Sequence, residues 1–209
     1  MNFVYFDLET ERSAQEVGGW GNIEQLGLAV AVTCSVTHDA LSEAADGAPD
    51  KKTHGDFQVF RGGEAQALGE VLRAADCVVG FNTRGFDFRV LQPYVDFELR
   101  RLTNLDLMLD LKAVAGFRPG LDNCCAATLD EKKSGGGLQS LQWWREGRHD
   151  EVIEYCKQDV VLTRRLHEFG AREGFVKCLD RQSRTRTLAV SWSLSGVSAT
   201  PASQQGSLF

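Results

Sequence analysis

Phe3-Val4-Tyr5-Phe6-Asp7-Leu8-Glu9-Thr10 is the stretch of sequence that decides the fold. Its apolar run is typical of a buried β-strand, but two carboxylates interrupt it. Because successive strand side chains point to opposite faces, Asp7 and Glu9 project from the same face. Two neighbouring anions resist burial unless a cation lies between them, and their oxygens suit a divalent metal ion. The alternative is a solvated strand end that carries two ordinary surface acids.

The segments after this strand predict an α/β fold. Residues 26–36 and 57–60 have strand patterns, which predict an antiparallel meander with the first strand. A helical spacing at 64–74 and a short apolar strand at 77–81 then indicate a mixed sheet with helices packed against it. Further along the chain, the patterns predict helices at 88–95, 108–115, 121–129, around 143–148 and at 150–169, a strand at 103–107 and a strand pair within 175–190.

Length and composition limit the classes of protein to consider. The chain has 209 residues, 43% hydrophobic and 25% charged, which is typical of a globular protein. We expect one domain at 1–170, a peripheral extension at 171–190 and a disordered tail at 191–209, where Ser, Ala, Gly and Gln dominate. The net charge of −6 argues against a broad basic face for nucleic acid.

Neither a secretory signal nor a membrane span is evident in the sequence. We therefore expect an intracellular, cytoplasmic protein without membrane contact. The six cysteines contain no C-x-x-C pair, and several lie in apolar runs. This pattern predicts reduced, buried thiols rather than zinc ligands or disulfides.

Asp87 follows the predicted strand at 77–81 and begins the next helix. Sites in open α/β sheets lie beyond the carboxyl ends of strands, and a carboxylate is favoured in the first turn of a helix. The alternative is that Asp87 only caps this helix while Asn82 and Gly85 form the turn. We interpret Asp106, another acid at a strand end, as a turn or capping residue.

Tyr155 and Asp159 are four residues apart and therefore share one face of the predicted helix at 150–169. Val152, Leu162 and Leu166 lie on the same face, so it should pack inward. A buried aspartate needs a partner, and a metal ion held by Asp7 and Glu9 would supply one. The alternative is a buried tyrosine beside an edge aspartate.

A glycine-rich basic loop that contains Lys132 and Lys133 precedes Trp143 and Trp144. Lysines beside aromatic rings can bind phosphates and stack bases. The alternative is that one tryptophan packs in the core and the other packs against a neighbouring loop.

Taken together, these acids form an ordered set that resembles the DEDD superfamily of 3′–5′ exonucleases. The motifs are Asp7-x-Glu9, Asn82-x-x-x-Phe86-Asp87 and Tyr155-x-x-x-Asp159. Tyr155 matches the tyrosine (DEDDy) variant, since Glu154 stands where the histidine variant has its base. More closely, the chain resembles bacterial exonuclease domains related to the proofreading domain of family B DNA polymerases. The resemblance covers residues 1–169.

The resemblance implies a ribonuclease H-like fold, with a mixed five-stranded sheet and helices on both faces. It implies hydrolysis of single-stranded DNA or RNA from the 3′ end with two Mg²⁺ or Mn²⁺ ions. Asp7, Glu9 and Asp159 would hold one ion, and Asp7 and Asp87 the other. Tyr155 would orient the attacking water. The predicted substrate contacts are Asn82, Phe86, Lys132 and Lys133.

Two other functions are compatible with the same motifs. The domain could bind nucleic acid as a non-catalytic accessory to other enzymes, or it could be a ribonuclease H-like endonuclease. The chain also ends in a short segment, Gln205-Gly206-Ser207-Leu208-Phe209, that is similar to peptides that dock on the bacterial DNA sliding clamp. Gln205, Leu208 and Phe209 are the predicted clamp contacts.

Overall fold

The computed structural model describes residues 1–37, 55–131 and 137–194. Its central sheet contains β1 (Asn2–Thr10), β2 (Leu28–Thr37), β3 (Asp56–Arg61), β4 (Cys77–Gly80) and β5 (Asn104–Asp106). The five strands lie in the order β3-β2-β1-β4-β5. β2 is antiparallel to both β1 and β3, which confirms the predicted meander. β4 is parallel to β1 and β5 to β4, so the predicted mixed sheet is also confirmed.

The α-helices of the described residues connect and cover these strands. They are α1 (Ala65–Arg73), α2 (Asp87–Leu91), α3 (Leu107–Ala115), α4 (Leu121–Leu129), α5 (Gly137–Arg145) and α6 (His149–Glu173). None of them combines the length and apolarity needed to cross a lipid bilayer.

Helices cover both faces of the sheet, because the central strand is apolar on both faces. Phe3 and Tyr5 of β1 pack with residues of α3, α4 and α6. Val4 and Phe6 point the other way and pack with residues of α1 and α2. The polar residues that interrupt β1 therefore lie at one end of a strand that is otherwise buried on both sides.

Three helix boundaries differ from the sequence prediction. The helix predicted around 143–148 is α5, which ends at Arg145, so Arg148 lies outside it. The helix predicted at 88–95 ends at Leu91 and continues as a 3₁₀ turn, Gln92–Tyr94. Pro93 explains this change, because it has no backbone N–H to continue an α-helix. The helix predicted to end at Phe169 extends to Glu173 and is terminated by Gly174, which has a φ of 75°.

Gly170 does not end this helix, because its role is close packing. A Cβ atom at Gly170 would lie 2.4 Å from Cε3 of Trp192. Trp192 is buried, and its Nε1 donates a hydrogen bond to Asp110 Oδ2 over 3.0 Å. We predicted a disordered tail from residue 191, and for Trp192 this prediction is wrong. Residues 195–209 lie outside the described part of the chain.

The C-terminal segment contains a separate hairpin of β6 (Phe175–Leu179) and β7 (Thr185–Ala189), as predicted. It is attached to α4, since Asn123 Oδ1 accepts a hydrogen bond of 2.6 Å from the Leu179 amide. All six cysteines are free and buried, which confirms that prediction.

Candidate metal centre

Asp7 and Glu9 occupy the end of β1, beyond the point where β4 stops pairing with it. β4 pairs with Phe3 to Tyr5 only, whereas β2 continues beside Asp7 and Glu9. Both carboxylates are on the face that carries Phe3 and Tyr5, which is the face covered by α6. The strand therefore presents two acids at an edge that β4 leaves open.

Asp159 on α6 completes a group of three carboxylates. One oxygen each from Asp7, Glu9 and Asp159 lie within 4.8 Å of one another. Oxygens bound to one Mg²⁺ or Ca²⁺ ion lie at most about 4–5 Å apart, twice the metal–oxygen distance. Asp159 is 5% exposed, so the predicted inward orientation is confirmed. The three carboxylates could thus hold a metal ion.

Cys156 lies three residues before Asp159 on α6, and its side chain is close to the three carboxylates. Its thiol is buried and lies 3.6 Å from Asp7 Oδ2 and 3.3 Å from the Asp7 carbonyl oxygen. Burial raises the pKa of the thiol well above its usual range, and the charges of Asp7, Glu9 and Asp159 raise it further. The thiol is therefore protonated and can donate a hydrogen bond to Asp7.

Ser140 on α5 makes a contact with Glu9 that the sequence did not reveal. Its Oγ donates a hydrogen bond of 2.7 Å to Glu9 Oε2, and the serine is 1% exposed. A bond of this length to a carboxylate is charge-assisted, and it limits the rotamers available to Glu9. α5 therefore contributes to the orientation of one of the three carboxylates.

Asp87 begins α2, as predicted, and lies beside this group without belonging to it. Burial is the main cause that raises its pKa to about 8, and the charges of Asp106 and Glu9 raise it further. Hydrogen bonds from its own amide and from the amide of Leu8 act in the opposite direction. Because Leu8 separates Asp7 from Glu9 on β1, the Asp87 carboxyl is adjacent to the three-carboxylate group.

Asp106 holds the turn that precedes Asp87. It accepts a hydrogen bond of 2.8 Å from the Asn82 amide and one of 3.0 Å from the Arg84 amide. It also accepts one from the Leu109 amide, which confirms the predicted helix cap. Asn82 has a φ of 72°, so it forms this turn, as expected if Asp87 only caps the helix. Its role in substrate binding stays a prediction.

Tyr155 is 3% exposed and lies on the same side of α6 as Asp159. The ring of Trp143 contacts the ring of Tyr155 edge-on, with centroids 6.1 Å apart. Trp144 stacks on His149 at 4.4 Å. Both tryptophans are therefore packed against α6, which favours a packing role for these rings over base stacking. Lys132, Lys133, Gln205, Leu208 and Phe209 lie outside the described residues, so their predicted contacts stay predictions.

No protein-family model matches this chain, and the comparison with curated proteins found no match. The chemistry of the site therefore has to support any functional assignment.

Proposed function

We propose that the chain is a metal-dependent 3′–5′ exonuclease of the DEDDy type with a ribonuclease H-like fold. It would hydrolyse phosphodiester bonds at the 3′ end of single-stranded nucleic acid, with DNA favoured, and release nucleoside 5′-monophosphates. The observation that carries the proposal is the three-carboxylate group of Asp7, Glu9 and Asp159, with oxygens within 4.8 Å of one another. The strand order β3-β2-β1-β4-β5, with two acids on the central strand, is consistent with this fold.

The donor set fits a hard divalent cation. Carboxylate oxygens suit Mg²⁺ and Mn²⁺, whereas zinc sites are usually built from histidine and cysteine. Cys156 is the nearby thiol, and its raised pKa disfavours the thiolate that zinc would require. Asp7, Glu9 and Asp159 would hold one ion, while Asp87 would serve a second ion with Asp7 shared. Two such ions supply water activation and neutralise charge on the leaving oxygen.

The remaining side chains would orient the reacting groups. Ser140 fixes the Glu9 carboxylate, and the Cys156 thiol donates to Asp7. The phenol of Tyr155 lies on the same face of α6 as Asp159, where it would position the attacking water. Trp143 restricts the Tyr155 ring through their edge-on contact. Oriented groups of this kind lower the activation barrier, because less reorganisation is needed during the reaction.

The test is digestion of linear single-stranded DNA and RNA labelled at either the 3′ or the 5′ end, with Mg²⁺ or Mn²⁺. We expect mononucleotides from the 3′ end, a ladder that shortens from that end, and no product in EDTA. Asp159→Asn should abolish the reaction. Glu154→Gln is the matched control on the same helix, because Glu154 is exposed and should not contribute.

Two results would contradict the proposal. Cleavage of circular or 3′-blocked strands would indicate an endonuclease. Binding of single strands without cleavage in either metal, and unaffected by Asp7→Ala, would indicate an accessory binding domain.

A further inference from the structure

Trp20 is the exposed tryptophan of this chain. It is 69% exposed, whereas Trp192 is buried and Trp143 and Trp144 are partly buried. Trp20 begins a 3₁₀ helix, Trp20–Gln25, in the connection between β1 and β2. Tryptophan is highly buried on average, so an exposed ring next to a candidate site is a candidate contact for a ligand.

The ring of Trp20 contacts Phe86, the residue that precedes Asp87. Its centroid is 6.4 Å from that of Phe86, and the two planes meet edge-on at 60°. Phe86 directly precedes Asp87, which in turn senses the charge of Glu9. Trp20 and Phe86 therefore form a small aromatic surface at the start of α2, the helix that begins with Asp87.

Two glycines determine the backbone conformation of the segment that precedes Trp20. Gly18 has a φ of 82° and Gly19 a φ of 115°, conformations that other residues rarely adopt. The Gly19 amide donates to the Ala14 carbonyl over 2.7 Å, so the chain reverses tightly before Trp20. The side chain of Ile23, in the next turn, is buried and anchors the 3₁₀ helix. The turn thus places Trp20 at the surface, whereas Ile23 packs in the core.

The segment is also tied to both helices that border the site. Arg89 of α2 donates to Glu24 over 2.7 Å and to the Gly21 carbonyl over 3.1 Å. Arg145 of α5 donates to Glu16 over 2.6 Å. Exposed ion pairs add little stability, but these two restrict where the segment can lie. The position of Trp20 is therefore coupled to the helices that carry Asp87 and Ser140.

We propose that Trp20, supported by Phe86, stacks against an unpaired base of the strand whose 3′ end reaches the three-carboxylate group. This inference rests on the proposed exonuclease function and specifies how the substrate is held. Every base offers an aromatic face, so stacking tolerates any sequence. A paired base is already stacked within its duplex, so this contact selects single strands.

The experiment combines Trp20→Ala with abasic substrates. On a linear oligothymidylate, Trp20→Ala should raise KM roughly tenfold, with a smaller effect on kcat, and Trp20→Phe should recover most of the loss. Fluorescence anisotropy with an end-labelled oligothymidylate, in an Asp159→Asn background, should show the same loss of affinity. Tyr94→Ala is the matched control, because Tyr94 is an exposed aromatic residue outside this surface.

Abasic substitutions identify the base that stacks. We expect one abasic position near the 3′ end to weaken binding of the strand by the wild-type protein. The same abasic position should not weaken binding by the Trp20→Ala variant any further, because both changes remove the same contact. If Trp20→Ala leaves both KM and affinity unchanged in an active enzyme, or if every abasic effect is additive with it, the stacking role is wrong and the exonuclease function stands. If the wild-type chain neither binds nor digests single strands, the exonuclease function is wrong, and the stacking role with it.

Discussion

Asp87 allows a direct test of whether this site is built for a cation. Its carboxyl is 3% exposed, and burial raises its pKa from 3.8 to about 8, with further contributions from the charges of Asp106 and Glu9. Between these two pH values the unfolded chain has released the proton that the folded protein retains. The contribution of Asp87 to stability is therefore complete below pH 3.8 and is lost as the pH rises towards 8.

The size of the effect follows from the linkage between protonation and folding. Each pH unit inside this window lowers the free energy of unfolding by up to about 1.4 kcal/mol. From pH 5 to pH 7, the metal-free wild type should lose about 2–3 kcal/mol through this group. Asp87→Asn removes the titration but keeps an oxygen that can accept the hydrogen bond from the Leu8 amide. The variant should therefore gain stability relative to the wild type as the pH rises.

The assay is urea denaturation of both proteins in EDTA at several pH values from 5 to 8, followed by circular dichroism. The difference in free energy of unfolding reports Asp87 together with its interactions with Asp106 and Glu9, because distant titrating groups contribute equally to both proteins. Asp96→Asn, at an exposed surface position, is the matched control. Mn²⁺ should then stabilise the wild type more than Asp87→Asn. A difference that stays constant across this pH range would refute the reasoning.

Three further predictions concern side chains around the site and the core. Ser140→Ala should weaken Mn²⁺ binding about 10-fold in calorimetric titration, because Glu9 loses the bond that orients it, and Ser140→Thr should restore it. Burial lowers the pKa of His167 to about 4, so wild-type stability should fall by about 2 kcal/mol relative to His167→Gln between pH 7.5 and 5 in chemical denaturation. Gly170→Ala should lower stability by about 1–3 kcal/mol in the same assay, because overlap with Trp192 outweighs a gain in helix propensity of about 1 kcal/mol.

Local periodicity explains why much of the candidate site could be predicted from the sequence. The two-residue period of a strand places Asp7 and Glu9 on one face, and the helical period places Tyr155 and Asp159 together. The apolar residues around each pair then indicated which face is buried. Asp159 lies beside Asp7 and Glu9 because α6 packs on that same face of β1, as expected for an inward stripe.

Contacts that depend on the path of the chain were not predictable in this way. Ser140 is separated from Glu9 by 131 residues, and no local pattern indicates where α5 lies relative to β1. The sequence predicts a helix end at Gly170, because a glycine needed for close packing has the same sequence signature as a terminating glycine. Only the position of Trp192 distinguishes the two, and the later part of the chain determines that position.

The arrangement of Asp7, Glu9 and Asp159 is itself an argument for a bound cation. Two unit charges 4.8 Å apart repel by about 3 kcal/mol at an effective dielectric constant of about 20, and the group contains three such pairs. Ser140 and Cys156 donate hydrogen bonds to this group. A strand end with ordinary surface acids would let these carboxylates separate into solvent. Because β1 and α6 instead hold them together, the group could hold a divalent cation, which would relieve this repulsion.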